Sequence, residues 1–137
     1  MKDGVSIIMP AYNEAGNLRE AVASASGVCK KLGVPYEVII VNDVSGDTTG
    51  KVADAIKKKS PHVRVIHSSE NHGFGAAFRV GFTHAAFAFT TLFPSDNEMK
   101  KESLSDLIRV RHRADFISAY MANPLMRTMD RRIISHV

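Results

Sequence analysis

The feature of this 137-residue chain that most constrains its fold is an apolar run followed at once by a polar segment, which occurs three times. The apolar runs are residues 5–9, 38–41 and 89–93. The first, second and third post-strand segments that follow them are residues 10–14, 42–47 and 94–98. Open α/β sheets bind ligands in the crevice beyond the carboxyl ends of their strands. We therefore expect the three segments to gather their carboxylates around one pocket, suited to a metal ion or to the donor groups of a nucleotide.

The apolar runs alternate with helical patterns along the whole chain, which predicts an α/β fold. The predicted strands are residues 5–9, 36–42, 62–67, 88–93 and 115–120. The predicted helices are residues 15–31, 48–59, 74–86, 101–112 and 125–136. Near-continuous apolar runs are typical of strands covered on both faces, as in a mostly parallel sheet flanked by helices. We expect residues 1–137 to form one domain, and the pattern still running at Val137 predicts the N-terminal part of a longer chain.

The composition excludes several classes of protein. A hydrophobic content of 45% and a charged content of 23% are ordinary for a globular domain. Cys29 is the only cysteine, which excludes an intramolecular disulfide and a cysteine metal cluster and fits a reducing compartment. The longest apolar stretch, residues 85–93, is about half of the roughly 20 residues that a membrane helix needs. We expect a cytoplasmic chain that does not span the membrane but works at its inner face.

The formal net charge of +4 suits an anionic partner such as phosphate or a membrane surface. For the lysine run at residues 57–59, the sequence favours a solvated helix face. A nucleic-acid-binding module would need an aromatic stacking platform or a recognised motif, and the sequence has neither. We therefore expect no nucleic-acid partner.

The second post-strand segment carries two aspartates with different expected roles. Asp43 follows its strand directly, where a carboxylate can accept hydrogen bonds from a nucleobase and reject ligands that lack the donor. Asp47 lies in the turn that enters the next helix, where a carboxylate typically caps the turn or the helix. The sequence favours a ligand role for Asp43 and a capping role for Asp47 or Thr48. By the same rule, Asn13 is placed to cap the first helix.

The third post-strand segment offers the candidate metal ligands, Asp96 and Glu98. Magnesium and manganese prefer oxygen ligands and are usually held by one or two carboxylates together with substrate phosphates. The composition of residues 94–97 is also that of an ordinary turn. The residues alone leave both interpretations open.

Residues 71–81 open the third helix with a glycine-rich stretch. The stretch fails the G-x-G-x-x-G pattern and follows the third strand rather than the first, which disfavours a dinucleotide-binding domain. Gly73 and the amides at the helix start suit a lid or a diphosphate contact. Arg79 lies further along the helix, where we expect it to face the sheet edge and the ligand.

Taken together, residues 5–14, 37–49 and 71–81 resemble the family-two glycosyltransferases of GT-A fold. The resemblance covers essentially the whole chain in order. Within the family, the chain is most similar to the dolichyl- or polyprenyl-phosphate sugar transferase branch, to which residues 118–124 and 127–135 add weaker matches. The resemblance implies a Rossmann-like nucleotide-sugar domain.

The resemblance also implies site residues and a reaction. Those that would hold the nucleoside are Pro10, Ala11, Tyr12, Glu14 and Asp43. Asp96 would hold a Mg²⁺ or Mn²⁺ ion and the diphosphate, with Glu98 assisting. The expected activity is that of a metal-dependent, inverting hexosyltransferase that uses a UDP- or GDP-sugar. Its acceptor would be a polyprenyl phosphate or a cell-envelope glycan.

Two positions depart from the family pattern. Asn42-Asp43 stands where the family usually has Asp-Asp, and Pro94-Ser95-Asp96 stands where it usually has Asp-x-Asp. One metal carboxylate is therefore missing, and no catalytic residue is assigned. An alternative function is a non-catalytic or truncated domain of the same fold that binds nucleotide or serves as an interaction domain.

Overall fold

The computed structural model describes residues 1–119, which form four strands, four α-helices and a short 3₁₀ helix. The strands are β1 Lys2–Ala11, β2 Tyr36–Asn42, β3 Val63–His67 and β4 Phe87–Leu92. The α-helices are α1 Leu18–Leu32, α2 Thr49–Lys59, α3 Phe74–Thr83 and α4 Lys101–Arg109, and the 3₁₀ helix is Arg111–Arg113. None of the helices in this part of the chain has the length and apolar character that crossing a bilayer requires.

The four strands form one parallel sheet in the order β3-β2-β1-β4. Because β1 lies in the centre with β2 on one side and β4 on the other, the chain reverses its winding direction beside β1. Ligands of doubly wound sheets bind at such a switch point, beyond the carboxyl ends of the strands. The predicted α/β class and parallel sheet are confirmed.

Alternate residues of the central strands enter two separate cores. Ile7, Met9, Val38 and Ile40 pack with residues of α1, α2 and α4 on one face of the sheet. Ile8, Ile39 and Val41 pack on the other face against Ala77 of α3. All seven strand residues have 0% exposure, because a parallel strand covered on both faces has no solvent side. Burial on both faces of the sheet explains why the apolar runs in the sequence are continuous.

Several predicted boundaries are wrong by a few residues or more. Residues 115–119 form no strand, although we predicted one over 115–120. The third and fourth helices end at Thr83 and Arg109, earlier than predicted. The predicted helix at 125–136 lies outside the described residues.

Asn13 does not cap the first helix. The helix begins at Leu18, and the amides of Asn17 and Leu18 both donate to the carbonyl oxygen of Glu14 in the turn that leads into it. Asn13 instead adopts a left-handed conformation with φ of 53° and bonds across to the second post-strand segment. The helix ends as expected at Gly33, whose φ is 65°.

Candidate functional site

A cleft of about 600 Å³ opens at the carboxyl ends of β1, β2 and β4, beside the start of α3. All three post-strand segments contribute to its wall. The residues that line it are Pro10, Ala11, Tyr12, Glu14, Asp43, Asn71, Gly73, Phe74, Ala77, Pro94, Ser95 and Asp96. The expectation that the three segments meet at one pocket is therefore met by the geometry.

Hydrogen bonds join the first segment to the second. Asn13 donates its amide to the Ser45 hydroxyl at 3.1 Å, and its side-chain oxygen accepts from the Gly46 amide at 2.8 Å. The Glu14 amide donates to the hydroxyl of Thr49 at 2.9 Å. These paired contacts fix two chain segments that are about thirty residues apart, so the cleft wall is formed before any ligand arrives.

The third segment is tied to the first and to α1. Ser95, with only 2% exposure, donates its hydroxyl to the carbonyl oxygen of Pro10 at 2.8 Å. The Asn97 side chain donates to the carbonyl oxygen of Asn17 at 3.3 Å. A buried hydroxyl without a partner would be costly, and this bond removes that cost while fixing the position of Asp96 next in sequence.

Each post-strand segment contains one non-glycine residue in the left-handed region of the backbone. These residues are Asn13, Val44 and Asn97, with φ of 53°, 53° and 60°. Asparagine tolerates this conformation, whereas a β-branched valine is strained there. Among residues 1–119 no other non-glycine residue has a positive φ. Backbone strain of this kind concentrates at functional sites, where the surrounding contacts hold it in place.

Asp43 is the most buried carboxylate of the cleft, with 4% exposure. One of its oxygens accepts a hydrogen bond from the Gly73 amide at 2.9 Å and the other from the His72 amide at 3.3 Å. The Asn71 side chain donates to the Asp43 carbonyl oxygen at 3.1 Å. Asp43 therefore fixes the loop that enters α3, and its two oxygens keep further acceptor capacity for a ligand.

The cleft is acidic. Glu14, Asp43 and Asp96 line it, and no lysine or arginine within residues 1–119 does so. A bare phosphate would be repelled by this lining, whereas hydrogen-bond donors and metal cations would be attracted. Tyr12 and Phe74 add two aromatic side chains, each about half exposed.

Asp47 and Asp96 both accept hydrogen bonds that form turns, the role that the sequence favoured for Asp47 and left open for Asp96. Asp47 accepts from the Thr49 amide at 2.8 Å and also from the Thr49 hydroxyl. Both hydrogen bonds lower the pKa of Asp47, and the one from the Thr49 hydroxyl has the larger effect. Asp96 accepts from the Glu98 amide at 3.0 Å with one oxygen, and its other oxygen has no protein donor in the described part of the chain.

The predicted binding residues lie at the cleft with one exception. Pro10, Ala11, Tyr12, Glu14, Asp43, Gly73 and Asp96 all line it, whereas Arg79 does not. Arg79 is exposed, because Ala77 and Gly81 are the buried residues of α3 and Arg79 lies on the opposite side of the helix. Arg79 therefore faces away from the sheet and the cleft, contrary to the expectation that it faces the sheet edge.

Gly73 and Glu98 are the other two predicted ligand residues with contacts or positions to report. Gly73 lines the cleft, and its amide donates to Asp43 and to the Asn71 side chain, so a diphosphate contact at Gly73 would not use that N–H. Glu98 is exposed and lies outside the cleft lining. Within residues 1–119, no three His, Cys, Asp or Glu side chains cluster as a metal site.

Five further residues line the cleft without a predicted ligand role: Asn71, Phe74, Ala77, Pro94 and Ser95. A signal existed for Phe74, which directly follows Gly73 at the start of a helix whose inner face is made of small residues. An aromatic residue at that point cannot point into the tight helix–sheet contact and must turn toward the cleft or solvent.

Comparison with known proteins identifies the family. Residues 6–133 match the family described as "Glycosyl transferase family 2". The undecaprenyl-phosphate 4-deoxy-4-formamido-L-arabinose transferase of Enterobacter sp. (strain 638) is 28% identical over 105 residues, covering 76% of this chain and 32% of the relative. The corresponding transferase of Sodalis glossinidius (strain morsitans) is 28% identical over 109 residues, or 79% and 33%. The chain spans about a third of the length of these curated relatives.

Solved structures share the fold. The TarS fragment 1-349 of S. aureus superposes with a TM-score of 0.63 and 27% identity, covering 82% of this chain and 33% of that one. The mannosyltransferase PcManGT of Pyrobaculum calidifontis, in complex with GDP-Man and Mn²⁺, gives a TM-score of 0.65 at 20% identity, covering 80% and 32%. The second likeness shows the fold alone. The sheet and its flanking helices are those of GT-A glycosyltransferases, and the chain belongs to glycosyl transferase family 2, near its polyprenyl-phosphate sugar transferase branch.

Proposed function

We propose that the cleft binds the nucleoside diphosphate of a UDP- or GDP-sugar, and that the protein transfers the sugar to a lipid phosphate. The observation that carries this proposal is the meeting of three carboxylates, two aromatic rings and no lysine or arginine of the described residues in one preformed cleft. Residues 1–137 would form the part of the protein that binds the donor.

Asp43 is proposed to recognise the base. Its carboxylate is fixed by two backbone amides, which leaves acceptor sites for the imide N–H of uracil or the N1–H of guanine. A ligand without such a donor would leave a buried carboxylate unpaired, at a cost of about 1–3 kcal/mol. Pro10, Ala11 and Glu14 would complete the wall around the nucleoside.

Tyr12 and Phe74 are proposed to hold the faces of the base. They come from different sides of the cleft, one from the first post-strand segment and the other from the start of α3. Both rings are about half exposed, which leaves their faces accessible to a planar ligand. Stacking of a base on an aromatic side chain contributes about 1–3 kcal/mol.

The diphosphate requires positive charge, and no lysine or arginine within residues 1–119 supplies it in the cleft. Magnesium is typically held by one or two carboxylates together with substrate phosphates and water. Asp96 fits that pattern, because one of its oxygens has no protein donor among the described residues. A bound Mg²⁺ or Mn²⁺ ion would neutralise the charge of the departing diphosphate. PcManGT, which shares the fold, was solved with Mn²⁺.

The acceptor is proposed from the curated relatives, whose names specify undecaprenyl phosphate. A lipid phosphate is already ionised near neutral pH, so it can attack the anomeric carbon without a general base. Direct attack as the nucleotide diphosphate leaves would invert the configuration at that carbon. Arg127, Arg131 and Arg132, which lie outside the described residues, are proposed to contact the lipid phosphate or the anionic inner face of the membrane.

One observation favours a second function, nucleotide binding without transfer. Pro94 stands where the family has its first metal carboxylate, and the described residues contain no three-group metal cluster. Sugar transfer by the chain to an added lipid phosphate would reject this second function.

Titration calorimetry of the chain with UDP-, GDP- and other nucleotide sugars, each with and without Mn²⁺, tests the main proposal. We expect one base class to bind, and Asp43→Ala to weaken that binding about 100-fold, the effect of losing a hydrogen bond to a charged group at the base. Arg79→Ala is the matched control, because Arg79 lies outside the cleft, and its affinity should stay within about twofold of the wild type. Failure of the folded wild-type chain to bind any nucleotide sugar would reject the proposal.

A further inference from the structure

His67 lies at the end of β3, where its ring contacts the side chains of Asp54 and Asn42. Its Nε2 lies 3.0 Å from a carboxylate oxygen of Asp54 on α2. Its Nδ1 lies 3.1 Å from the side-chain nitrogen of Asn42, which has only 8% exposure. Both ring nitrogens are therefore engaged, although 44% of the His67 side chain remains exposed.

Asn42 is also hydrogen-bonded within the second post-strand segment, which in turn is bonded to the first. Its side-chain oxygen accepts a hydrogen bond from the Ser45 hydroxyl at 2.6 Å. The Ser45 oxygen in turn accepts from the Asn13 amide at 3.1 Å, and the Asn13 side chain accepts from the Gly46 amide at 2.8 Å. A continuous chain of hydrogen bonds thus runs from β3 to the first post-strand segment, next to Tyr12 and Glu14.

The directions of these hydrogen bonds select one form of the His67 ring. Because the Asn42 oxygen accepts from Ser45, its NH₂ group faces His67, and an amide NH₂ can only donate. His67 Nδ1 must then accept, which places the single ring proton on Nε2, toward Asp54. The contacts fit neutral His67 in this tautomer.

Protonation of His67 would put a proton on Nδ1. This N–H would then face the NH₂ group of Asn42, which is also a donor. Asn42 would have to turn its amide over, and the Ser45 hydroxyl proton would then lose its acceptor. Asp54 is the charged side chain in contact with the ring from α2, and Asn42 on β2 is uncharged. The Nε2 contact with Asp54 is the same in both forms of the ring, so the two arrangements differ only at Asn42 and Ser45.

Gly50 in α2 supplies an independent sign that this contact is built into the fold. A Cβ atom at Gly50 would lie 3.0 Å from the Asn42 side-chain nitrogen and 3.5 Å from Cε1 of His67. The missing side chain leaves the space that the Asn42–His67 pair occupies.

We propose that His67 is a positioning residue for nucleotide binding, which in its neutral form holds Asn42 so that the first and second post-strand segments stay joined. The functional consequence rests on the nucleotide binding proposed above. Histidine is the side chain that ordinarily changes charge at physiological pH, so a change of pH is a direct probe of this contact.

The wild-type chain is titrated with the nucleotide it binds, from pH 8.0 down to pH 5.5. We expect the dissociation constant to rise about tenfold at the acid end, the effect of one lost hydrogen bond. His67→Ala should bind weakly at every pH. His67→Asn, whose oxygen can accept from Asn42, should keep the affinity seen at pH 8.0 and lose the pH dependence. Asn42→Asp, which accepts from a protonated ring, should also abolish the fall in affinity at low pH.

Glycine substitutions give a readout that does not involve a titrating group. Gly50→Ala should weaken binding about as much as His67→Ala, because its Cβ presses on the pair. Gly27→Ala in α1, where a Cβ would meet open space, is the matched control and should bind like the wild type.

Backbone amide NMR of the ligand-free chain separates this inference from the proposed function. We expect the Asn13 and Gly46 amide signals to shift with the titration of His67, and to become insensitive to it in His67→Asn. If the wild type binds no nucleotide, the proposed function fails, and these signals still decide whether His67 controls the segments. Asn13 and Gly46 signals that ignore the titration, or a His67→Ala affinity equal to that of the wild type, would overturn the inference.

Discussion

The two edges of the sheet both place carboxylates among hydrogen-bond donors, but they use them differently. At the amino-terminal edge, Glu37 has 6% exposure and accepts from the Ser6 hydroxyl at 2.6 Å and the Ala86 amide at 2.7 Å. It also pairs with Arg64 at 3.1 Å. At the carboxyl-terminal edge, Glu14, Asp43 and Asp96 line an open cleft, and none of them is paired with a lysine or arginine of the described residues.

The carboxylate at the amino-terminal edge joins parts of the fold, whereas the carboxylates at the cleft are proposed to bind the ligand. Burial by itself raises the pKa of the Glu37 carboxyl, but hydrogen bonds from Ser6, Ala86 and Arg64, together with the charge of Arg64, outweigh burial and lower the pKa below its ordinary value of 4.5. Glu37 on β2 is therefore bonded to a residue of β1, a residue of β3 and the residue that directly precedes β4. The cleft carboxylates, in contrast, keep acceptor capacity that the protein itself does not use.

The largest expected effect comes from removing the structural carboxylate. Glu37→Ala leaves the Ser6 hydroxyl and the Ala86 amide buried without an acceptor, which should lower the free energy of unfolding by about 3 kcal/mol. Nucleotide affinity of the folded variant should stay within about twofold of the wild type. Urea denaturation and calorimetry measure the two quantities, and a large loss of affinity in the folded variant would break the distinction between the edges.

A smaller effect on the free energy of unfolding is expected from substitutions in α3, which begins at the cleft and runs toward the amino-terminal edge of the sheet. A Cβ atom at Gly81 would lie 2.5 Å from Cγ2 of Ile8, so Gly81→Ala should lower the free energy of unfolding by about 2 kcal/mol through overpacking. Gly75→Ala, in the first turn and facing open space, should instead raise it by about 0.5–1 kcal/mol. Equal effects of the two substitutions in urea denaturation would contradict the close approach of α3 at Gly81.

The pH dependence of stability should carry the signature of Glu37. A lowered pKa in the folded state means that its contribution is fully present above the unfolded value of 4.5 and is lost as the pH falls through the folded value. The difference in unfolding free energy between the wild type and Glu37→Gln should therefore shrink below pH 4.5. A difference that is constant from pH 7 to pH 3 would show that the charge of Glu37 contributes nothing.

The smallest effect on stability is expected at the open edge. Asp96→Asn keeps the acceptor for the Glu98 amide and removes an exposed charge, so the free energy of unfolding should change by at most about 0.5 kcal/mol. Any stimulation of nucleotide binding by Mn²⁺ should be lost in the same variant. Retained stimulation would assign the metal to other residues.

Local patterns in the sequence predicted the first four strands and the α-helices that follow them, because a parallel strand buried on both faces leaves an uninterrupted apolar run. They could not predict the role of Asn13. A capping rule considers only neighbouring residues, whereas Asn13 is held by Ser45 and Gly46 from another part of the chain. The convergence of the post-strand segments was predictable because parallel strands end at the same edge.

The error at Arg79 has a different cause. Its direction depends on which face of α3 approaches the sheet, and Ala77 and Gly81 determine that face because small residues allow the closest contact. Those two residues are four apart, so the pattern was present in the sequence, and Arg79 between them necessarily points away. The hydrogen bonds from His72 and Gly73 to Asp43 join loops from distant parts of the chain, and no local pattern indicates them.

Mapping the nucleotide contacts on the ¹⁵N-labelled chain decides whether the carboxyl-terminal edge of the sheet is the donor site. On addition of UDP or GDP with Mg²⁺, we expect amide shifts at Tyr12, Asp43, Phe74 and Asp96, with Ser6, Glu37 and Ala86 at the opposite edge unmoved. Shifts confined to residues outside the cleft, or none with either nucleotide, would contradict the assignment of this edge as the donor site.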